Sequence, residues 1–298
     1  RPGSRAELSC CACFGQQRGW LLIIAASYHS SSSTNHLLAL FERKLLCKTQ
    51  PEVSCESTTS PQTSSQARRN ELRVEDFWLE WKDLLGRLSS GSCTGQTGVQ
   101  SECLQDCVCY GLGSFSTCVS ARYQLALLLL LLDALKIPVE RCSVYDPVFS
   151  PTERETLTAL GFTVLTENEE GKRAVHQPTL FYLMHCGKAL YNNLLWKNWS
   201  SQTLPKLLVI GNSFLGIQER TLQRELQRDY AYLSTAMSVC DETTLPCSPR
   251  FLDVFNDTAL IHFSPQSLSK LPESTWADPE EPQYQHCQDL EIIRREQR

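Results

Sequence analysis

Two closely spaced glycines, Gly111 and Gly113, lie where a short apolar run gives way to a helical one. Glycine lets the backbone turn tightly, so that peptide N–H groups can approach a phosphate or carboxylate beside a helix N-terminus. The third glycine of a full dinucleotide fingerprint is missing, because position 116 is Ser. The motif, with Ser114 beside it, therefore predicts either a small-ligand loop or a purely structural turn.

An acidic residue, Asp146, ends the next apolar run and precedes Pro147. Many nucleotide-binding folds place a carboxylate at this position, where it accepts hydrogen bonds from ribose hydroxyls. Alternatively, the Asp-Pro pair simply begins a turn. Taken with the two glycines, Asp146 predicts a site for a nucleotide-like small molecule.

His185 and Asn212 end two later apolar runs. His185 stands beside Cys186, which suggests a nucleophile and its base, but neighbours on an extended chain point to opposite faces. His185 is therefore read as an acid–base group acting alone or as a hydrogen-bonded structural residue. We predict no catalytic residue and no metal ligands, and the cofactor stays unknown. The predicted binding residues are Gly111, Gly113, Ser114, Asp146, His185 and Asn212.

The elements that position these residues alternate along the chain. Candidate strands are Asp106–Tyr110, Cys142–Tyr145, Thr163–Leu165, Thr179–Met184, Leu207–Ile210 and Ala259–Phe263. Candidate helices are Ser116–Lys136, Thr152–Leu160 (begun by a capping box, Thr152 to Glu155), Lys188–Trp199 and Gly216–Tyr232. Such alternation predicts an α/β, Rossmann-like three-layer sandwich with a mostly parallel sheet and a core over 104–263.

In an open parallel sheet, ligands bind beyond the carboxyl ends of the strands, where the strand order reverses. In the order 3-2-1-4-5-6, the first and fourth strands are neighbours at that point. We therefore expect Gly111, Asp146, His185 and Asn212 to surround one crevice. Asn256-Asp257, just before the last strand, falls at the opposite edge unless that strand is antiparallel.

The flanks of the core have a different composition. Residues 1–68 contain runs rich in Ser, Thr, Pro and Gln, which bury too little apolar surface to fold, so we predict disorder there. Apolar residues at three- and four-residue steps predict an N-terminal helix over 70–88. An acidic, proline-containing extension follows Phe263 and is predicted to wrap the domain, which spans 69–298.

Composition limits the classes of partner that we expect the chain to bind. The net charge of -5 and a pI near 5.8 disfavour direct binding of nucleic acid. The longest apolar runs, Trp20–Ala26 and Leu125–Leu132, are far shorter than the roughly 20 residues of a membrane span, so no membrane partner is expected. The fifteen cysteines are odd in number and irregularly spaced, which favours free, mostly buried thiols over a disulfide framework or structural zinc.

Several ordered blocks are similar to the sensitivity-to-red-light-reduced family. They are Cys109–Ser116, Gln124–Ala126, Val144–Pro147, Glu167–Lys172, Phe181–Cys186, Tyr191–Trp196, Ile210–Phe214, Phe255–Thr258 and the tail block Asp289–Ile293. Apart from the tail, the blocks cover roughly 104–263. The resemblance implies a regulatory role in circadian clock gene expression and in haem biosynthesis, and it implies no established catalytic mechanism.

Three functions follow as hypotheses. The first is a cytoplasmic regulator, with the nucleus as a second compartment, that has protein partners and senses a nucleotide or metabolite at Gly111, Gly113, Ser114 and Asp146. The second is a nucleoside-cofactor enzyme such as a methyltransferase, which the lack of a recognisable catalytic constellation disfavours. The third is direct haem or redox sensing through thiols, ranked last because no Cys precedes a Pro.

Overall fold

A computed structural model describes residues 61–91, 103–277, 279–285, 287 and 290. The chain divides into two units, 1–60 and Pro61–Arg298, and every described residue belongs to the second. The disorder predicted for 1–60 and the tail block beyond residue 290 lie outside the described residues.

Seven strands form one open sheet. In chain order they are β1 (Asp106–Tyr110), β2 (Cys142–Tyr145), β3 (Thr163–Val164), β4 (Thr179–Leu183), β5 (Leu207–Asn212), β6 (Asp241–Thr244) and β7 (Thr258–His262). Their spatial order is β3-β2-β1-β4-β5-β7-β6. The first five strands pair in parallel, and β7 is antiparallel to both of its neighbours. This confirms the predicted α/β fold with a mostly parallel sheet.

The helices occupy the connections and the flanks. They are α1 (Pro61–Arg73), α2 (Asp76–Gly91), α3 (Val119–Leu135), α4 (Pro151–Ala159), α5 (Lys188–Lys197), α6 (Phe214–Arg220), α7 (Gln223–Asp229), α8 (Ala231–Ala236), α9 (Leu252–Phe255) and α10 (Pro265–Leu268). None of these described helices combines the length and apolarity needed to cross a bilayer.

Each face of the sheet is covered by its own apolar cluster. One cluster contains the buried leucines of α3, 125–132, together with Trp81 of α2 and Phe255 of α9. The other contains Tyr191 of α5, Phe214 of α6 and Leu233 of α8. Burial on both faces explains why β4 is apolar along nearly its whole length and buried at every position.

The antiparallel hairpin of β6 and β7 resolves the alternative left open for Asn256-Asp257. Thr258 pairs with Asn212, so the start of β7 lies at the carboxyl end of β5. Residues 256–257 therefore lie at the same edge as the predicted ligand loop. Sequence patterns missed β6, because Asp241–Thr244 is a polar strand at the edge of the sheet whose residues are half-buried or exposed.

Several helix boundaries differ from the predictions. Two helices replace the single one predicted over 70–88, and the first begins at Pro61, inside the segment predicted to be disordered. It is ordered by contacts with α3, including a cation–π contact between Arg68 and Tyr123. The helix predicted over Gly216–Tyr232 is divided by the extended residues Thr221 and Leu222.

Candidate functional site

The loop after β1 adopts a conformation that requires glycine. Gly111 and Gly113 have φ values of 69° and 80°, in the left-handed region that other residues rarely occupy. A Cβ atom on Gly111 would lie 2.8 Å from the sulfur of Cys186, at the end of β4. The loop and the β4 end therefore meet closely at the point where the strand order reverses between β1 and β4.

Asp146 holds this loop against the end of β2. Its Oδ2 accepts a hydrogen bond from the amide of Gly113 at 2.7 Å, and its Oδ1 accepts one from the amide of Val148 at 3.0 Å. The side chain is buried, and burial raises its pKa even though both hydrogen bonds oppose the rise. Asp146 thus holds the loop in place and leaves only its remaining lone pairs for a ligand.

A second carboxylate, Glu153 of α4, holds the other end of the loop, and sequence reasoning did not single it out. Its Oε1 accepts from the hydroxyl of Ser114 at 2.9 Å and from the amide of Ser116 at 2.8 Å. Burial by itself raises the pKa of Glu153, but the hydrogen bonds from Ser116, Ser150 and Ser114 outweigh it, so the pKa is lower than usual.

Glu153 also completes a capping box with Ser150, which begins α4 at Pro151, one residue earlier than predicted. The Ser150 hydroxyl accepts from the Glu153 amide, and the Ser150 amide donates to Glu153 Oε2 at 2.8 Å. The predicted box, Thr152 to Glu155, is therefore wrong. Pro151 at the first helical position fixes the earlier start. A Ser-x-x-Glu pattern with that proline was the sequence signal for Glu153.

His185 follows β4 in a left-handed conformation, with φ at 54°. Its side chain is exposed, and its Nε2 lies 2.8 Å from the carbonyl oxygen of Val254 in α9. Because a carbonyl only accepts, Nε2 donates, and Nδ1 of the neutral ring is then an acceptor. A non-glycine residue in this region is strained, and such strain is often found at functional sites.

Cys186 and Asn212 join the ends of β4 and β5. The Asn212 Nδ2 donates to the carbonyl oxygen of Cys186 at 2.9 Å, and the Cys186 thiol lies 3.5 Å from the carbonyl oxygen of Tyr110. The hydroxyl of Tyr191 in α5 accepts from the Asn212 amide at 2.8 Å and donates to the Leu183 carbonyl oxygen at 2.6 Å. Tyr191 therefore fixes the position of Asn212.

The structure places all six predicted residues at one edge of the sheet. Contacts run from Asp146 through the glycine loop to Cys186 and on to Asn212. Ser114 is held on the far side of the loop by Glu153, and His185 turns toward α9. His185 and Cys186 do not form a nucleophile–base pair, since the His185 Nε2 bonds a carbonyl oxygen and the thiol contacts the β1 backbone.

Two cavities in the described part of the chain are lined by none of the six predicted residues. One, of about 540 Å³, opens at the amino ends of β1, β2 and β4 and is lined by Asp106, Arg141, Ser143 and Arg173 among others. The other, of about 380 Å³, lies between α2 and β6. The glycine loop itself is packed against the end of β4, since a Cβ atom on Gly111 would meet the Cys186 sulfur.

Four of the nine described free cysteines are buried: Cys107, Cys109, Cys142 and Cys186. Burial raises the pKa of Cys109 and of Cys142 well above the usual value, so both are protonated near neutral pH. Within the described part of the chain, no group of three or more His, Cys, Asp or Glu side chains is arranged to hold a metal.

A comparison with known protein families shows a match to a stretch of the chain that includes the carboxyl edge of the sheet. The chain matches the SRR1 domain family over residues 84–262, which contains β1 to β7 and all six predicted site residues. It is 54% identical over 157 residues to the SRR1-like protein of Mus musculus, a match that covers 51% of this chain and 63% of the mouse protein.

Two more distant relatives match the same region. The chain is 35% identical over 165 residues to the SRR1-like protein of Drosophila melanogaster, covering 55% of this chain and 57% of the fly protein. It is 34% identical over 174 residues to the Arabidopsis thaliana Protein SENSITIVITY TO RED LIGHT REDUCED 1, a match that covers 58% of this chain and 63% of the plant protein. The chain thus spans less than two thirds of the length of these curated relatives.

Proposed function

This chain belongs to the SRR1 domain family, and from that premise we propose that it is a regulatory protein that senses a small nucleotide-like ligand. The plant relative bears a name that refers to sensitivity to red light, which supports a role in signalling. The processes proposed are circadian clock gene expression and the regulation of haem biosynthesis. We propose that it acts through protein partners in the cytoplasm and the nucleus.

One observation carries the ligand-sensing part of the proposal. Two left-handed glycines lie between β1 and α3, at the point where the strand order reverses, and Asp146 of the next strand bonds to their loop. Open α/β sheets bind their ligands at this point. The four strand ends there contribute Gly111, Asp146, His185 and Asn212, and this convergence supports a ligand site at the carboxyl edge.

A melting-temperature panel tests this proposal. The full chain is heated with adenosine, ADP, NAD⁺ or S-adenosylmethionine, and a bound ligand at about 100 times its Kd adds about 3 kcal/mol of stability. For a domain of this size that corresponds to roughly 6 to 12 °C. A shift with at least one ligand supports the proposal, and a flat panel across all nucleosides and nucleotides contradicts it.

The second candidate is a methyltransferase, which the position of β7 favours. An antiparallel β7 between β5 and β6 extends the 3-2-1-4-5 order, as in methyltransferases with a Rossmann-like sheet. We place it second because a shared strand order does not establish an activity. Turnover of S-adenosylmethionine to S-adenosylhomocysteine in the presence of a cell extract separates the enzyme from a sensor, which binds without turnover.

Thiol-based sensing is the least supported of the three hypotheses. The buried thiols Cys109 and Cys142 have raised pKa values, whereas a redox-sensing cysteine needs an accessible thiolate. Absorption spectra of the full chain with added haemin test the haem version, and a Soret band that needs a particular cysteine would revive it.

A further inference from the structure

We propose that the cavity at the amino ends of β1, β2 and β4 is a second ligand site, which binds a small organic anion through a carboxylate or phosphate group. The cavity lies at the opposite edge of the sheet from Gly111 and Asp146, so this site goes beyond the proposed function and does not depend on it. Its volume, about 540 Å³, falls within the range of small-molecule sites.

The cavity exists because one crossover of the sheet lacks a helix. The connections β1–β2, β2–β3 and β4–β5 contain α3, α4 and α5, whereas residues 165–178, between β3 and β4, contain no helix. Val175 of this segment belongs, with Val108 of β1, to the apolar cluster on the face opposite α3. A loop therefore covers this face of β1 and β2, where a parallel sheet is normally covered by a helix. Val108 and Ser143, which are neighbours in register, line the space that is left.

Arg173 is held beside Ser143 by a carboxylate that is itself fixed. The Arg173 Nη1 donates to Glu169 Oε1 at 2.7 Å, and Glu169 also accepts from the hydroxyl of the buried Tyr110. The Arg173 Nη2 lies 3.5 Å from the hydroxyl oxygen of Ser143. Within the described part of the chain, the Arg173 Nε has no acceptor. The guanidinium group is thus oriented in advance and keeps a donor for an incoming oxygen.

A second guanidinium group in the lining, that of Arg141, uses only one of its nitrogens within the protein. Its Nε donates to Asp106 Oδ1 at 2.8 Å and to the Gln105 carbonyl oxygen at 2.9 Å. The other oxygen of Asp106 accepts from Gln177, so this carboxylate is engaged on both sides and orients Arg141. Both Nη groups of Arg141 are without acceptors among the described residues. Carboxylate and phosphate oxygens match such paired N–H donors.

The hydroxyl of Ser143 points to a ligand most directly. The residue is only 8% exposed, and it lines the cavity from β2. Its oxygen has Arg173 Nη2 as a distant donor, but its O–H finds no acceptor in the ranges that the structure describes. A buried donor without an acceptor is unfavourable unless a molecule in the cavity accepts its hydrogen. An oxyanion accepts from this hydroxyl and from both guanidinium groups, whereas a cation accepts from none of them.

Binding of simple oxyanions to the full chain tests the inference. Inorganic phosphate and malonate are the phosphate and carboxylate probes, and Kd values are measured by calorimetry at constant ionic strength. We expect at least one probe to bind saturably, and the tighter of the two identifies the group that the site prefers. If neither binds saturably, the inference is overturned. The proposed function is unaffected by that result, because it concerns the carboxyl edge.

Two variants and a matched control locate the site. Ser143→Ala removes a hydroxyl that makes one long contact, so the fold should persist while affinity for the bound probe falls about tenfold. Arg141→Gln removes a guanidinium group and should also weaken binding about tenfold. Arg87→Gln is the control, because Arg87 lines the other cavity and also has an acidic partner, Asp83, and it should leave the affinity unchanged.

Two results with these variants would contradict the assignment. Equal losses in Arg141→Gln and Arg87→Gln would mean that the probe responds to overall charge rather than to this cavity. Unchanged affinity in Ser143→Ala would mean that the buried hydroxyl does not contact the anion. Either result overturns the inference.

Discussion

The amide of Gly113 donates a hydrogen bond of 2.7 Å to the buried carboxylate of Asp146, which joins the loop after the first strand to the end of the second. The side chain that the sequence indicated as a ribose anchor is therefore first of all a support for the glycine loop. A substitution of Asp146 therefore disturbs the loop as well as the proposed ligand site, whereas His185 is exposed and its ring bonds the Val254 carbonyl oxygen rather than the loop.

Asp146→Asn should lower the free energy of unfolding by about 1–3 kcal/mol, because one amide oxygen cannot replace both carboxylate oxygens that accept backbone N–H groups. The raised pKa of Asp146 means that its contribution is greatest below the ordinary Asp pKa and falls as pH rises through the folded pKa. Urea unfolding at about pH 3.5 and 6.5 should show a smaller deficit for Asp146→Asn at the higher pH. Asp83→Ala, at an exposed position, is the control, and its free energy of unfolding should stay within about 0.5 kcal/mol of the parent at both pH values.

Glu153→Gln should show the opposite pH dependence. The lowered pKa of Glu153 means that its contribution is present above the ordinary Glu pKa and is lost as pH falls through the folded pKa. The variant should therefore be less stable than the parent at neutral pH, by about 1–3 kcal/mol, and the difference should shrink in acid. Urea unfolding across about pH 3 to 7 measures it, and a difference that grows in acid would contradict the assignment.

Gly111→Ala should lower the free energy of unfolding by about 1–3 kcal/mol, because a side chain there combines a left-handed backbone with a clash against the Cys186 sulfur. Thermal and urea unfolding measure the loss. Adding Cys186→Ala should restore the stability lost to the clash with sulfur, but not the stability lost to the left-handed backbone conformation. Gly86→Ala is the matched control: it lies in α2 with nothing within 4 Å of its Cβ position, so it should stabilise slightly.

Tyr191→Phe should destabilise the end of β5 by about 1–3 kcal/mol, since the buried hydroxyl joins the Leu183 carbonyl oxygen to the Asn212 amide. Hydrogen exchange should show faster exchange at the Asn212 amide than in the parent. Tyr232→Phe removes a hydroxyl that donates to the Glu280 carbonyl oxygen at a half-exposed site, and it should lower the free energy of unfolding by less. An equal cost for both variants would mean that Tyr191 has no special role in positioning Asn212.

Alkylation should separate the thiols by burial. Cys103 is exposed and should react with iodoacetamide in the native protein, whereas Cys109 and Cys142 are buried with raised pKa values and should react only after unfolding. Mass spectrometry of peptides labelled with and without urea provides the measurement. Rapid native labelling of Cys109 or Cys142 would instead favour thiol-based sensing.

The strands of the parallel part of the sheet were predictable because each is a short apolar run of its own. Asp106–Tyr110 and Cys142–Tyr145 match the observed strands residue for residue, since short buried apolar runs between helical segments have few other solutions. The neighbouring positions of β1 and β4 followed from the common order 3-2-1-4-5-6 of such sheets, and the glycines, Asp146, His185 and Asn212 followed as strand ends.

Only the tertiary structure decided which atoms these side chains bind. Asp241–Thr244 is a strand because β7 supplies its hydrogen-bond partners, and no apolar pattern marks it in advance. Glu153 and Tyr191 reach the site through contacts that bring together residues far apart in sequence, whereas periodicity reports only which face of an element is apolar. The sequence by itself determined six of the seven strands, the mostly parallel sheet and the six predicted residues at its carboxyl edge. Packing decided that the amides of Gly113 and Ser116 are bonded to carboxylates, because hydrogen bonding depends on distances that spacing along the chain does not encode.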